Sequence, residues 1–495
     1  MTAPCRAPRA HQSWLLSALL VAAIPVCAQQ TLLQRLPKVL RGAHAAKEIV
    51  TSKAPTSGLE IQRRAFGVVE QSEVSRDLNA ILATLRQGVP NSPHAQVYVT
   101  PDPGMTAYTA PDASIFIALG NLRSMETRDE VAALIAHEYS HVLLGHLEQT
   151  QLQETMRKAQ GISSTYLALK YDESSPLNTK GQRRQTLSQS LALSIVQIGI
   201  LPSRTRGQES LADAKAMDLL VKANYNPAGM FDLLERIGIW EETQERALRA
   251  QEVELLTLKK ELAKSQSLDD AAVRVVLTPV TNVMQRTYAK VSQGMRNLKR
   301  THFGTERRSA QVRSYLDKTY PDLDRPDSQD VPWRNRKQAD ALFTGVDAIH
   351  GMVRAMEAGN NPDTLRLSAI AKASPAARTP YGRYALLRSQ RDVGTIDRAT
   401  RARMTQELQQ PDALYVSHFL ILDIMQKGSP QDEQLRTLEA SRKALGDPPE
   451  LMPYTISVYR HAGKEPETAN ALARCRGHGD GGLTVACEAR AKPGG

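Results

Sequence analysis

The sequence is short of cysteine, of long apolar runs and of histidine, and each shortage narrows what the chain can be. Four cysteines among 495 residues are too few for a disulfide-rich scaffold. Cys5 and Cys27 fall in the first segment, which leaves Cys475 and Cys487 in the body of the chain. An even pair in an exported chain reads as a disulfide, with two reduced thiols as the alternative, and both lie far in sequence from the histidines. Beyond the first segment no run reaches 18 apolar residues, so nothing there is expected to span a membrane. No nucleic-acid-binding module is present. The formal net charge of +11 favours anionic surfaces such as lipid headgroups, so peripheral membrane contact is one consequence and a basic background composition the other.

At 495 residues the chain exceeds what one hydrophobic core usually organises, and two folded domains are expected. Arg6 and Arg9 open the chain, Trp14 to Ile24 is apolar, and Val26-Cys27-Ala28 offers a small residue before Gln29. That is the layout of a secretory signal peptide over residues 1–28, with an uncleaved anchor as the alternative. Lipid attachment at Cys27 is disfavoured by the bulky Val26 before it. Export follows from the signal-peptide reading.

Leu78, Ile81, Leu82 and Leu85 predict a helix over 72–88, ended by Gly88 and Pro90. Short strands are expected at Gln96 to Thr100, Met105 to Thr109 and Ser114 to Leu119, with Pro101, Pro103, Gly104 and Pro111-Asp112 at the turns. Thr127-Arg128-Asp129-Glu130 fits a capping box that starts a helix with Val131, Leu134, Ile135, Val142 and Leu143 on its buried face. Residues 172–186 read as a polar loop, and Leu191 to Leu201 as a buried helix or a hydrophobic lip near a substrate site. Helices follow at 207–222 and from Pro227 to Ile237, then a long charged helical stretch from 240 to 300 interrupted at Pro279. Pro321, Pro326 and Pro332 mark a linker, so the boundary lies between a domain over 29–320 and a helical one over 335–495. Tyr381 to Gln390 and Leu451 to Gly463 suggest helical hairpins of the tetratricopeptide type, without the strict repeat signature.

His137-Glu138-Tyr139-Ser140-His141 is an H-E-x-x-H motif, and with only 11 histidines in the chain a chance match is rare. On a helix, positions i and i+4 share a face, so both imidazoles can reach one cation. Glu138 between them can take a proton from water and return it to a leaving amine. Two imidazoles and one carboxylate suit a single zinc ion with an open fourth position. The metzincin continuation fails, because Leu144 and Leu147 stand where its glycine and third histidine belong. The best acidic candidate for the third ligand is Glu209, on a helix made thin by Ala212, Ala214 and Ala216; helix logic leaves other downstream carboxylates open. Asp213, one turn on, could hydrogen-bond a ligand histidine and fix its tautomer.

Met105 to His146, Glu209 to Ile237 and Thr301 to Arg313 together resemble the HtpX, Oma and CAAX-prenyl-protease superfamily of zinc endopeptidases. Within it the similarity is greatest to the exported BepA-like branch with a tetratricopeptide-like tail. His137, Glu138, His141 and His146 match that family's helix, and Glu209, Ala212 and Asp213 match its E-x-x-A-D. Asn224-Tyr225-Asn226-Pro227 matches its G-[YF]-[DN]-P apart from Asn224. The resemblance implies Glu209 as third zinc ligand. It also implies that His302 and Arg308 sit near the metal, where they bind the developing oxyanion or occlude the open position; Phe303 replaces the usual proline beside them. Met105 to Ala110 matches the family's substrate-binding edge strand.

The expectation is an α+β fold: a mostly helical zincin-type domain with a small sheet, then an all-helical repeat-like domain. The expected activity is a periplasmic zinc endopeptidase acting on unfolded or misassembled envelope or outer-membrane proteins, with an assembly-machinery partner for the tail. The rival is a chaperone or assembly scaffold whose zinc site is latched or structural.

Overall fold

The computed structural model describes residues 57–70, 72–146, 204–264, 305–394, 396–426, 429–479 and 481–492. The signal-peptide segment, the loop at 172–186, the apolar run Leu191 to Leu201, Pro279 and His302 lie outside the described residues.

After a short α1 (Gly58–Arg63), the Ser72 hydroxyl accepts from the Ser75 amide and caps α2 (Glu73–Gln87), whose Leu78, Ile81, Leu82 and Leu85 are all buried. Three strands follow, β1 (Gln96–Thr100), β2 (Ala107–Thr109) and β3 (Ser114–Ala118). Their order is β1-β3-β2, with β3 parallel to β1 and antiparallel to β2. The strand expected from Met105 starts two residues later. The Asp102 carboxylate accepts from the Gly104 amide and the Thr106 hydroxyl, which curls the preceding residues into a turn. No described strand pairs with the outer side of β2.

A short α3 (Leu119–Ser124) leads to α4 (Arg128–Leu143), which opens on the expected capping box between Thr127 and Glu130. The sequence suggested one buried face, but every residue from Asp129 to Val142 is buried. The reason is position: α2, the sheet, α5 (Arg206–Lys222) and α6 (Ala228–Lys264) all pack around α4. Gly229 permits a close approach of α6, since a Cβ there would lie 2.3 Å from the Asp129 carbonyl carbon. Helix α6 runs unbroken through Gly238, where two separate helices were expected. An interior glycine weakens a helix by about 1 kcal/mol but does not stop it without a left-handed residue or a proline.

Helix α7 (Thr305–Thr319) lies against α5 and α6. The proline-bearing stretch after it is strapped across the start of α4. Ser328 Oγ donates to Asp129 Oδ2 at 2.8 Å, the Arg128 amide donates to the Gln329 carbonyl at 2.7 Å, and Val331 and Trp333 are buried. A helical region then continues as α8 (Lys337–Glu357), α9 (Asn361–Lys372), α10 (Pro380–Asp392), α11 (Arg398–Leu408), α12 (Tyr415–Met425), α13 (Gln431–Leu445), α14 (Met452–His461), α15 (Glu465–Gly477) and α16 (Gly481–Ala491). Cys475 and Cys487 form a disulfide between the last two. The fold is therefore α+β, a mostly helical zincin-type domain with a small sheet followed by a helical region. One hydrophobic cluster runs through both, and residues 55–495 form one compact unit.

His350 of α8 joins these parts. It is buried, its Nε2 lies 2.7 Å from the Pro101 carbonyl after β1, and its ring stacks on Tyr381. Burial, with Arg354 adding to it and the Pro101 hydrogen bond opposing, pushes the imidazole from 6.5 down to about 4. The unfolded chain therefore binds this proton first as pH falls. Stability is complete above pH about 6.5 and is lost progressively toward pH 4, by on the order of 3 kcal/mol from this residue. Urea unfolding at pH 7 and pH 4.5 checks it: the loss between the two should shrink in His350→Gln.

Candidate metal centre

Helix α4 sets His137 and His141 one turn apart, with their Nε2 atoms 3.2 Å from each other. The first turn of α5, fixed by a second capping box between Thr205 and Gln208, brings in Glu209. Glu209 Oε2 lies 3.4 Å from His137 Nε2, and Oε1 lies 3.5 Å from His141 Nε2. Ala212 and Ala216 are completely buried, and their small side chains let α5 sit close to α4. Two imidazole nitrogens and a carboxylate, all buried, thus offer three donors to one point. Tetrahedral bonds of about 2.0–2.1 Å to zinc require donors about 3.3 Å apart, so the set fits zinc, and the described residues offer these three donors to it.

The surroundings hold these donors in place. Asp213 Oδ1 lies 2.9 Å from His137 Nδ1, an ion-pair distance on the ring edge away from the metal point. Arg308 forks onto Asp213, with Nε 2.8 Å from Oδ2 and Nη2 2.7 Å from Oδ1, and its Nη2 is also 3.4 Å from Glu209 Oε2. Burial would raise both acids, but Arg308 and His137 hold Glu209 well below the usual carboxylate range and Asp213 below its own. Burial would lower His137, yet hydrogen bonding to Asp213 and Glu209 raises it to about 9. Burial and the neighbouring positive charges of His137 and Arg204 push His141 far down. Without metal, the acids thus keep a proton on His137, at a place prepared for a cation.

His146 completes the frame. Gly145 takes a left-handed conformation (φ +67°) that ends α4, and the His146 amide returns to the His141 carbonyl at 2.9 Å. The His146 ring then sets its Nδ1 3.1 Å from His141 Nδ1. His146→Ala should weaken zinc binding roughly 10-fold or more, as loss of a partner behind a ligand does. Competition with a chromophoric chelator measures this.

Glu138 lies between the two histidines in sequence and is buried. The Thr109 hydroxyl, at the end of β2, donates to its Oε2 at 2.9 Å, and Arg204 pairs with it at 3.2 Å.

The structure brings His137, Glu138, His141, Glu209, Asp213 and Arg308 into one region. Arg308, expected near the metal to bind the developing oxyanion or occlude the open position, forks onto Asp213 and lies 3.4 Å from the ligand Glu209. A guanidinium buried against two carboxylates satisfies both with charge-assisted hydrogen bonds. Sequence reasoning missed Thr109 and Arg204 altogether and gave His146 no role. The one available signal for Arg204 was its place just before a helix N-terminus, where the helix dipole disfavours a cation.

Residues 70–316 match the sequence model described as Peptidase family M48. The chain is also similar to the metalloprotease LoiP of Escherichia coli (strain K12), 26% identical over 190 residues, which are 38% of this chain and 69% of that protein. Residues 70–316 are thus similar to a peptidase domain, and the three donors in them could hold the metal ion of a metallopeptidase.

Proposed function

We propose that this chain is a metallopeptidase of the M48 kind, a zinc-dependent endopeptidase, exported to the periplasm, that cleaves unfolded or misassembled envelope proteins. The observation that carries the zinc reading is the convergence of His137, His141 and Glu209, with the acidic Glu138 on the same helix. Zinc held there would supply Lewis acidity to the scissile carbonyl and to the attacking water.

The chain's own residues divide the remaining work. Glu138 takes the proton of the attacking water and returns it to the departing amine. An extended substrate adds to the outer side of β2 through main-chain hydrogen bonds, a mode that tolerates many sequences and so suits unfolded chains. Thr109 ends that strand and touches Glu138, so a peptide paired with β2 runs past the base. His302 donates to the developing oxyanion, while Arg308 keeps Asp213 and Glu209 in place. Helices α8 to α16 dock a partner in the tetratricopeptide manner, and assembly machinery for outer-membrane proteins is the partner proposed.

The test is degradation of a reduced, unfolded protein by the purified mature chain before and after zinc is stripped with a chelator and restored. Zinc-dependent cleavage at internal bonds is the expected result. A chain that retains zinc and cleaves nothing would favour the rival, an assembly scaffold with a latched or structural site.

A further inference from the structure

Glu138 is the side chain from which the proposed reaction asks most, and two other elements close on it. Thr109 Oγ1 lies 2.9 Å from Glu138 Oε2 and 3.0 Å from the Glu138 carbonyl oxygen. Arg204 directly precedes the Thr205 cap of α5, and its side chain is buried. It sets Nη1 3.2 Å and Nη2 3.3 Å from the same Oε2. Its approach to Oε1 is the longer 3.5 Å. The two carboxylate oxygens are therefore unequal: Oε2 is shared by Thr109 and the two Nη atoms of Arg204, and Oε1 has no donor closer than 3.5 Å among the described residues.

That inequality matters to a base. A general base must stand within about 2.6–3.2 Å of the proton it takes, and a misplacement of about 1 Å can cost a factor of about 10². A buried carboxylate also needs partners to offset its desolvation. An oxygen that already accepts three donors is a poor proton acceptor, whereas its less occupied twin keeps its lone pairs.

We propose that Thr109 and Arg204 are positioning residues that anchor Glu138 through Oε2 and present Oε1 for proton transfer. This inference rests on the reading of Glu138 as the base. Its parts come from three elements that the reaction must hold in register. Thr109 belongs to β2, where the substrate is proposed to add; Glu138 belongs to the ligand-bearing α4; Arg204 begins the segment that carries Glu209. The fork matters as well as the charge, because two nitrogens of one planar group reach a single oxygen, which an ammonium cannot reproduce.

The test uses the zinc-loaded full mature chain and a fluorogenic peptide, with two readouts. The first is kinetic. Arg204→Ala and Thr109→Val should each lower kcat about 10- to 100-fold, with KM within about twofold and zinc content unchanged. Thr109→Ser should stay near the parent, Arg204→Lys should fall between, and millimolar guanidinium should partly restore Arg204→Ala. Thr109→Val is nearly isosteric and keeps the test open should Arg204→Ala fold poorly. The second readout needs no turnover: melting temperatures of Arg204→Ala, Glu138→Gln and the double variant should be non-additive, because the partners share one contact. Additive melting shifts would remove the anchor. Unchanged kcat with non-additive melting would make the pair structural and overturn the positioning role. A rise in kcat would make Arg204 a brake and overturn it too. A parent chain that cleaves nothing would sink the peptidase reading and the positioning role together, and the parent's own activity tells that failure from the others.

Discussion

Glu138→Gln is expected to lower kcat by about 10²- to 10⁴-fold while the chain keeps its zinc. The substitution is nearly isosteric. It leaves a carbonyl oxygen able to accept from Thr109 and does not touch His137, His141 or Glu209. What it removes is a group that can take a proton from water and hand it on. Zinc content by atomic emission, measured beside turnover of an unfolded substrate, separates lost chemistry from lost metal. A decrease of less than about tenfold, at full zinc occupancy, would take the role of base away from Glu138. Loss of zinc would show instead that the Thr109 and Arg204 contacts support the site as a whole.

Asp213→Ala should have the largest combined effect on stability and metal binding. Asp213 lies 2.9 Å from His137 Nδ1 and accepts from Arg308 through both oxygens. Removing it takes away both close hydrogen bonds of a buried guanidinium and leaves Glu209 at 3.4 Å and the charge of Glu241 to offset it. Removing one partner of a buried ion pair costs about 3–5 kcal/mol, less whatever Glu209 and Glu241 offset, and loss of the partner behind a ligand histidine weakens zinc about 10- to 100-fold. Thermal unfolding of the metal-free chain should report the first loss and zinc competition the second. The double variant Asp213→Ala/Arg308→Met should recover much of the stability, since no charge is stranded, but not the zinc affinity. Equal recovery of both would mean that His137 needs no partner at Nδ1.

Much of the fold was legible because its signals are local. Ser72 and the Thr127–Glu130 box fix where α2 and α4 begin through hydrogen bonds spanning three residues, and the apolar spacing of Leu78 to Leu85 fixes which side of α2 is buried. The H-E-x-x-H spacing fixes that His137 and His141 share a helix face, whatever packs against it. The extent of α6 was misread at Gly238, because a helix of that length is decided by what it lies against as much as by propensity. The burial of α4 on all sides from Asp129 to Val142 could not be read from its own residues, since four neighbouring elements supply it.

The site divides in the same way. From the sequence alone come two imidazoles and a carboxylate on one helical turn, with Glu209 and Asp213 spaced to face a neighbour together. The contacts that give these groups their charge states and orientation join residues far apart in the chain. Arg308 reaches Asp213 across 95 positions, Arg204 reaches Glu138 across 66, and Thr109 reaches Glu138 across 29. Periodicity and capping act over a few residues and can be read from the chain. Which distant cation satisfies which buried acid is decided only when α4, α5, α7 and β2 pack, because a buried charge takes whichever partner the fold brings within hydrogen-bond reach.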